Sequence, residues 1–298
     1  MQKKTAFLKY LTALLLFGSN GVVASWISLG SAEIVLLRSV LGCLLLSALF
    51  FLTGHRLDLG RNRRDLLFVA VSGVAMAADW LFLFEAYAQI GVSLGMLINY
   101  TGPAFVIALA PLVLGERITP NKVVALLLAL LGGILISGRA MFSGLSTWGL
   151  LCAVLSAFSY AVMVLANKKA QSMTGVENAT VQLFFTTVTV VVYALIRGVD
   201  LSGALSGGWL PVLWLGLINT GLGCFCYFSS IGNLTAQTVS VCGYIEPLFA
   251  VLLAAAVLKE SLQPIQILGA VLIVGGALLG ELWGIRQQKV MSASKTIV

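Results

Sequence analysis

Ten apolar runs, each about as long as a helix that crosses a bilayer, follow one another along the chain with only short polar breaks between them. They lie near 8–28, 32–53, 66–88, 92–114, 120–138, 147–166, 177–196, 209–230, 236–258 and 264–284. A hydrocarbon core about 30 Å thick takes about 20 residues of helix. No water reaches that core to satisfy backbone N–H and C=O groups, so the runs must be helices that bond internally. The predicted fold is therefore all-α and integral to a membrane, with ten transmembrane helices. Composition agrees: 59% of the 298 residues are hydrophobic and 10% charged, where a soluble domain carries roughly a quarter charged residues. Almost nothing is left for a soluble domain.

Charge placement orients the bundle. With the N-terminus inside, the inner segments hold Lys3, Lys4, Lys9, Arg56, Arg61, Arg63, Arg64, Arg117, Lys122, Lys168, Lys169, Arg286, Lys289 and Lys295, fourteen of the eighteen Lys and Arg. Only Arg139, Arg197 and Lys259 lie outside, and Arg38 falls within a run. That bias predicts two cytoplasmic termini and an even number of spans in a cytoplasmic membrane. It also accounts for the net charge of +7 without a nucleic-acid partner. The basic start before the first run resembles that of a secretory signal; with nine runs following, it reads as a retained first helix. The five cysteines lie within apolar runs and the only histidine, His55, lies in a charged loop. No metal spacing or disulfide framework results, and no cofactor is expected.

The second half repeats the first at an offset of 144. Y-T-G-P-A-F-V-I-A-L-A-P-L-V-L-G-E-R-I-T-P from Tyr100 aligns with Y-I-E-P-L-F-A-V-L-L-A-A-A-V-L-K-E-S-L-Q-P from Tyr244. Tyr100 matches Tyr244, Pro103 matches Pro247, Leu114 matches Leu258, Glu116 matches Glu260, Pro120 matches Pro264 and Gly132 matches Gly276. Five spans separate the copies, an odd number, so the halves insert with opposite orientation. Inverted repeats are a signature of transporters, with the substrate near the midplane between the halves. The expected units are residues 1–140 (spans 1 to 5) and 141–298 (spans 6 to 10 with a short tail).

On these residues, and on P-L-F-A-V-L-L-A-A-A-V-L-K-E-S-L-Q-P-I-Q-I-L-G-A-V-L-I-V-G-G-A-L-L in the second half, the chain resembles the drug/metabolite transporter superfamily, specifically its bacterial EamA branch. Arg38 in L-L-R-S matches a frequent second-helix arginine of that family. The resemblance implies two inverted five-helix repeats around a central cavity lined by spans 1 to 4 and 6 to 9, with spans 5 and 10 closing the bundle. The chain departs from the pattern at Glu33, where proline is frequent. Gly102 stands opposite Glu246, so one carboxylate rather than two would face the midplane.

Polar residues at depth mark the candidate site. At about 1.5 Å per residue, Arg38 and Asp79 reach a similar level. They are expected either to pair, since an unpaired charge in hydrocarbon costs several kcal/mol, or to act in binding or gating. Glu246 lies near the midplane with no basic residue obviously matched to it. It is open to a role as a proton site, as partner of a substrate cation, or as a hydrogen-bonding group between helices. Asn20, Asn99, Tyr100, Ser159, Tyr160, Asn219, Thr220 and Tyr244 cluster around the same level, as a polar cavity would require, though each alone could be an interhelical hydrogen-bonding group. Pro103 and Pro247 are expected to kink their helices, a defect tolerated where protein or a water-filled cavity meets the freed backbone. Glu33, Glu85 and Glu281 sit near span ends and read as structural.

These features suit a secondary transporter moving a small polar, zwitterionic or aromatic metabolite by alternating access. The resemblance implies export of an amino acid or related compound; uptake of a vitamin or nucleobase-like solute is the alternative. No G-x-x-x-x-G-K-[ST] loop supplies a nucleotide site. An integral membrane enzyme would need a catalytic constellation that one loop histidine does not provide, and a scaffold would need longer loops or tails. The expected partners are a small-molecule substrate, the lipid bilayer and a coupled proton, in a monomer or weak homodimer.

Overall fold

The computed structural model describes residues 2–55, 63–115, 145–201, 208–231 and 245–260, with residues 57 and 243 and shorter pieces between 120 and 135 and between 262 and 283. Within these, seven helical stretches are long and apolar enough to cross a membrane: Lys4–Ser25, Ser31–Leu52, Arg63–Ile90, Val92–Leu114, Thr147–Lys169, Gly175–Arg197 and Trp209–Ser230. Each falls on an expected run. The other three expected runs lie partly outside the described residues, and on them the described parts form the shorter apolar helices Val123–Gly132, Leu248–Leu258 and Ile267–Gly276.

Several crossings are not simple helices. The first divides into α1 (Gln2–Gly18) and α2 (Asn20–Ser25), with Ser19 between them. α3 (Ser31–Leu52) and α4 (Arg63–Ile90) are continuous. The fourth crossing divides into α5 (Val92–Asn99) and α6 (Gly102–Leu114). Pro103 explains that break: it stands in the first turn of α6, has no N–H for the Asn99 carbonyl, and disfavours helical geometry just before itself. The proline thus interrupts its helix where a bend was expected. Pro111, further along α6, stays inside the helix.

α7 (Thr147–Lys169) and α8 (Gly175–Arg197) are again continuous. The next crossing runs α9 (Trp209–Leu213), a π-helical segment Trp214–Leu222, then α10 (Gly223–Ile231). α11 (Ile245–Leu253) carries Pro247 in its first turn and continues into a π-helical turn, Ala254–Leu258.

The long helices interlock through hydroxyl bonds to backbone. Ser72 of α4 donates to the Met163 carbonyl of α7 at 2.9 Å. Thr186 of α8 donates to the Gly73 carbonyl of α4 at 3.0 Å, and Thr187 to the Ser39 carbonyl of α3 at 3.0 Å. At Gly73 the approach is so close that any side chain would meet the α8 backbone at Gln182. Small residues and hydroxyls hold the bundle because lipid gives no hydrophobic drive between helices.

The 144-residue offset reappears in backbone geometry. Gly54, just past the end of α3, and Gly198, at the end of α8, both have left-handed φ, +79° and +61°. Gly115, which ends α6, and Lys259, which ends the helix after α11, do so too, with φ of +69° and +56°. Lysine is an uncommon occupant of that conformation.

Candidate functional site

The helix interruptions surround a cavity of about 550 Å³. Asn20, Arg38, Asp79, Asn99, Tyr100, Pro103, Tyr160 and Glu246 all border it. Tyr244 lies outside the described residues.

The break before Pro103 builds one side of the site. Thr101 donates its hydroxyl to the Ile98 carbonyl at 2.7 Å, covering a backbone group at the end of α5. Asn99, the last residue of α5, then turns its amide to Asp79 Oδ1 at 3.1 Å and to Ser156 Oγ at 2.6 Å. Ser156 donates to the same Asp79 oxygen at 2.5 Å. Asp79 is 6% exposed, and these two neutral partners from α5 and α7 hold its carboxylate.

Arg38 has different partners. Its Nε donates to Thr220 Oγ1 at 3.1 Å, and its guanidinium lies over the rings of Trp80 and Phe84, 4.2 and 4.9 Å from their centroids. Thr220 can receive it because its own proton goes to the Leu215 carbonyl five residues back, at 2.8 Å. That spacing is the one the π-helical segment provides. The expected ion pair between Arg38 and Asp79 is not formed among the described residues. Aromatic faces and hydroxyls compensate the two charges separately, and Arg38's terminal amino groups have no partner there.

Glu246 faces a third neighbour, Tyr100, across the cavity, which brings a residue of the fourth crossing beside one in α11. Asn219 behaves otherwise than expected. It is fully buried behind the cavity wall, and its amide reaches the Leu16 carbonyl at 2.9 Å, Ser19 Oγ at 3.0 Å and Asn20 Oδ1 at 3.1 Å. It braces the break between α1 and α2 and so fixes Asn20, which does border the cavity. Ser159 is not brought to the site either. The α7 residues that face it are Ser156, Tyr160, Met163 and Asn167; at 100° per residue, Ser159 sits roughly a quarter-turn off that stripe.

One end of the cavity reaches an exposed residue. Tyr10, Asn167, Lys168, Gln182 and Phe228 line it there, and Lys168 is exposed. Asn167 and Asn178 exchange amide bonds at 3.0 and 2.9 Å, and Asn167 also donates to Gln182 at 2.8 Å, forming a polar collar. At the other end Val22, Ile27, Tyr87, Val92, Met96 and Ala254 pack into one apolar cluster. The collar, Ser156 and the wall tyrosines Tyr10, Tyr87 and Tyr227 had not been singled out from sequence. Polar residues every three or four positions through the run 147–166 and just beyond it were the available signal.

The EamA-like transporter family model matches residues 4–138 and again 147–280. An uncharacterized transporter of Bacillus subtilis, YxxF, is 26% identical over 93% of this chain and 90% of its own. The Escherichia coli K12 protein named as an uncharacterized inner membrane transporter, YedA, is 24% identical over 86% and 82%. A solved crystal structure, 21% identical, overlays with a TM-score of 0.67 across 96% of this chain and 99% of its own, a likeness of fold.

Proposed function

We propose, from the premise that this chain belongs to the EamA-like transporter family, that it is a secondary transporter carrying a small zwitterionic metabolite, an amino acid or related compound, probed by both signs of charge in one cavity. As a multi-pass membrane transporter of that family, it needs a solute site reached from alternate faces. The observation that carries this reading is the cavity itself. It is bordered by the interrupted helices of both halves, holds Arg38 on one side and Asp79 and Glu246 on others, and reaches the exposed Lys168 at one end.

Arg38 has its Nε occupied and its amino groups free among the described residues, which leaves a planar fork suited to a carboxylate. Asp79 and Glu246 supply acceptors for an ammonium. Trp80, Phe84, Tyr100 and Tyr160 provide faces for an apolar or aromatic side chain. Discontinuous helices at the midplane, with polar groups gathered at the breaks, are how transporters build such sites.

By the charge bias, the end at Lys168 faces the cytoplasm and both termini lie on that side. The two halves, residues 1–140 and 141–298, are the bodies that rock against each other, and export is the direction favoured. Glu246, which lines the cavity with the neutral Tyr100 for a neighbour, is the candidate proton site.

The test is flux in proteoliposomes without nucleotide. Amino acids should move down their gradients, and a panel of amino acids, nucleobases and cationic metabolites with neither flux nor binding would sink the proposal. Glu246→Gln should abolish the response to a pH gradient; an unchanged response removes the proton role.

A further inference from the structure

Beside the apolar cluster at the end of the cavity away from Lys168, the two halves of the chain meet in a contact that takes no part in the site above. Glu260 accepts the Val92 N–H on Oε1 at 2.9 Å and the Ser93 N–H on Oε2 at 2.8 Å. These are among the first N–H groups of α5, which have no partner within the helix. A carboxylate there also meets the positive end of the helix dipole.

Backbone geometry on both sides serves this contact. The left-handed turn at Lys259 ends the helix after α11 and reverses the chain so that the next side chain reaches α5. Gly91, with φ of +86°, starts α5 so close to the carboxylate that a side chain there would lie 3.1 Å from Glu260 Oε1. α5 carries Met96 on the cavity wall and ends at Asn99, the partner of Asp79. One carboxylate thus fixes the start of the half-helix that roofs the site.

The contact also leaves something unsatisfied. The Ser93 hydroxyl beside it is buried with no partner among the described residues. Opening this end would let water reach that hydroxyl, so the closed arrangement is held by Glu260 and not by full satisfaction of the segment.

We infer that Glu260 is a positioning residue of the transport cycle: its carboxylate latches α5 against the second half while the cavity is open toward Lys168, and it must leave Val92 and Ser93 before the opposite face opens. This inference rests on the alternating-access reading above.

The test uses the full chain in sided proteoliposomes, with its five cysteines replaced and Met96→Cys as reporter for a membrane-impermeant maleimide added to either face. With Glu260 in place, labelling from the Lys168 side predominates. Glu260→Ala should raise labelling from the other side about tenfold relative to the first. Glu260→Gln, which keeps one acceptor oxygen and loses the charge, should give a smaller rise, and it alone decides if the alanine variant is not recovered. A merely structural glutamate would lower the melting temperature and leave the ratio of labelling from the two faces unchanged, which overturns the latch. Solute flux in the same vesicles separates the two readings. Flux present with an unchanged ratio sinks the latch alone, whereas flux absent with Glu260 intact sinks alternating access and this inference with it.

Discussion

The Tyr100 hydroxyl and the Glu246 carboxylate face each other across the cavity, bringing the fourth crossing beside α11. They are not repeat mates. Tyr100 pairs in sequence with Tyr244, and Glu246 with Gly102, so the contact exists only because the two halves differ at that position. If it acts as a unit, Tyr100→Phe and Glu246→Gln should each lower flux, and the double variant should fall well short of the sum of the two losses. Contacting groups commonly couple by about 0.5–3 kcal/mol; strictly additive losses in a flux-based double-mutant cycle would refute the unit.

Asp79 depends on Ser156 and Asn99 for partners to its carboxylate. Ser156→Ala should cost about 1–3 kcal/mol by leaving a buried acceptor short of a donor. The expected readout is a fall in melting temperature in detergent, at about 2–4 °C per kcal/mol for a chain of roughly this size. Asp79→Asn in the Ser156→Ala background should recover much of that loss.

Trp80 is the closer of the two rings under the Arg38 guanidinium. Trp80→Leu removes its face and should weaken retention of a carboxylate-bearing solute about tenfold, in line with a cation–π contribution of about 0.5–2 kcal/mol. Trp80→Phe should be intermediate. Direct binding of an amino-acid panel would measure it, and equal affinity in all three proteins would count against Arg38 as the anion site.

Gly115 and Lys259 share a left-handed turn that precedes Glu116 and Glu260. Gly115→Val should destabilise by about 1–2 kcal/mol, the usual cost of a side chain in that conformation, while Lys259→Gly should be neutral or stabilising. Glu116 lies outside the described residues. By its place in the repeat, Glu116→Gln should shift reporter labelling in the opposite direction to Glu260→Gln; a shift in the same direction would contradict an inverted task for the pair.

Hydropathy marked the seven long crossings to within four residues at each end, since solvation in hydrocarbon depends on composition before any contact forms. It could not show where crossings break. The break at Ser19 comes from Asn219, about two hundred positions away, and the π-helical register that frees Thr220 for Arg38 has no local signature. Asn20, Arg38, Asp79, Asn99, Tyr100, Tyr160 and Glu246 were legible as polar groups at similar depth. Their partners were not, because depth ignores which way a helix turns its face: hence Ser156 where Ser159 was expected, and two aromatic rings where an ion pair was expected.

The division between α5 and α6 also constrains the order of assembly. Val92–Leu114 is apolar enough to enter the bilayer as one uninterrupted helix. Bared backbone at the break is tolerable only beside protein or water, and the groups gathered there include Ser156, which belongs to a crossing synthesised later. Insertion must therefore come first and the break second. The break between α5 and α6 is thus completed only when α7 arrives to receive the end of α5.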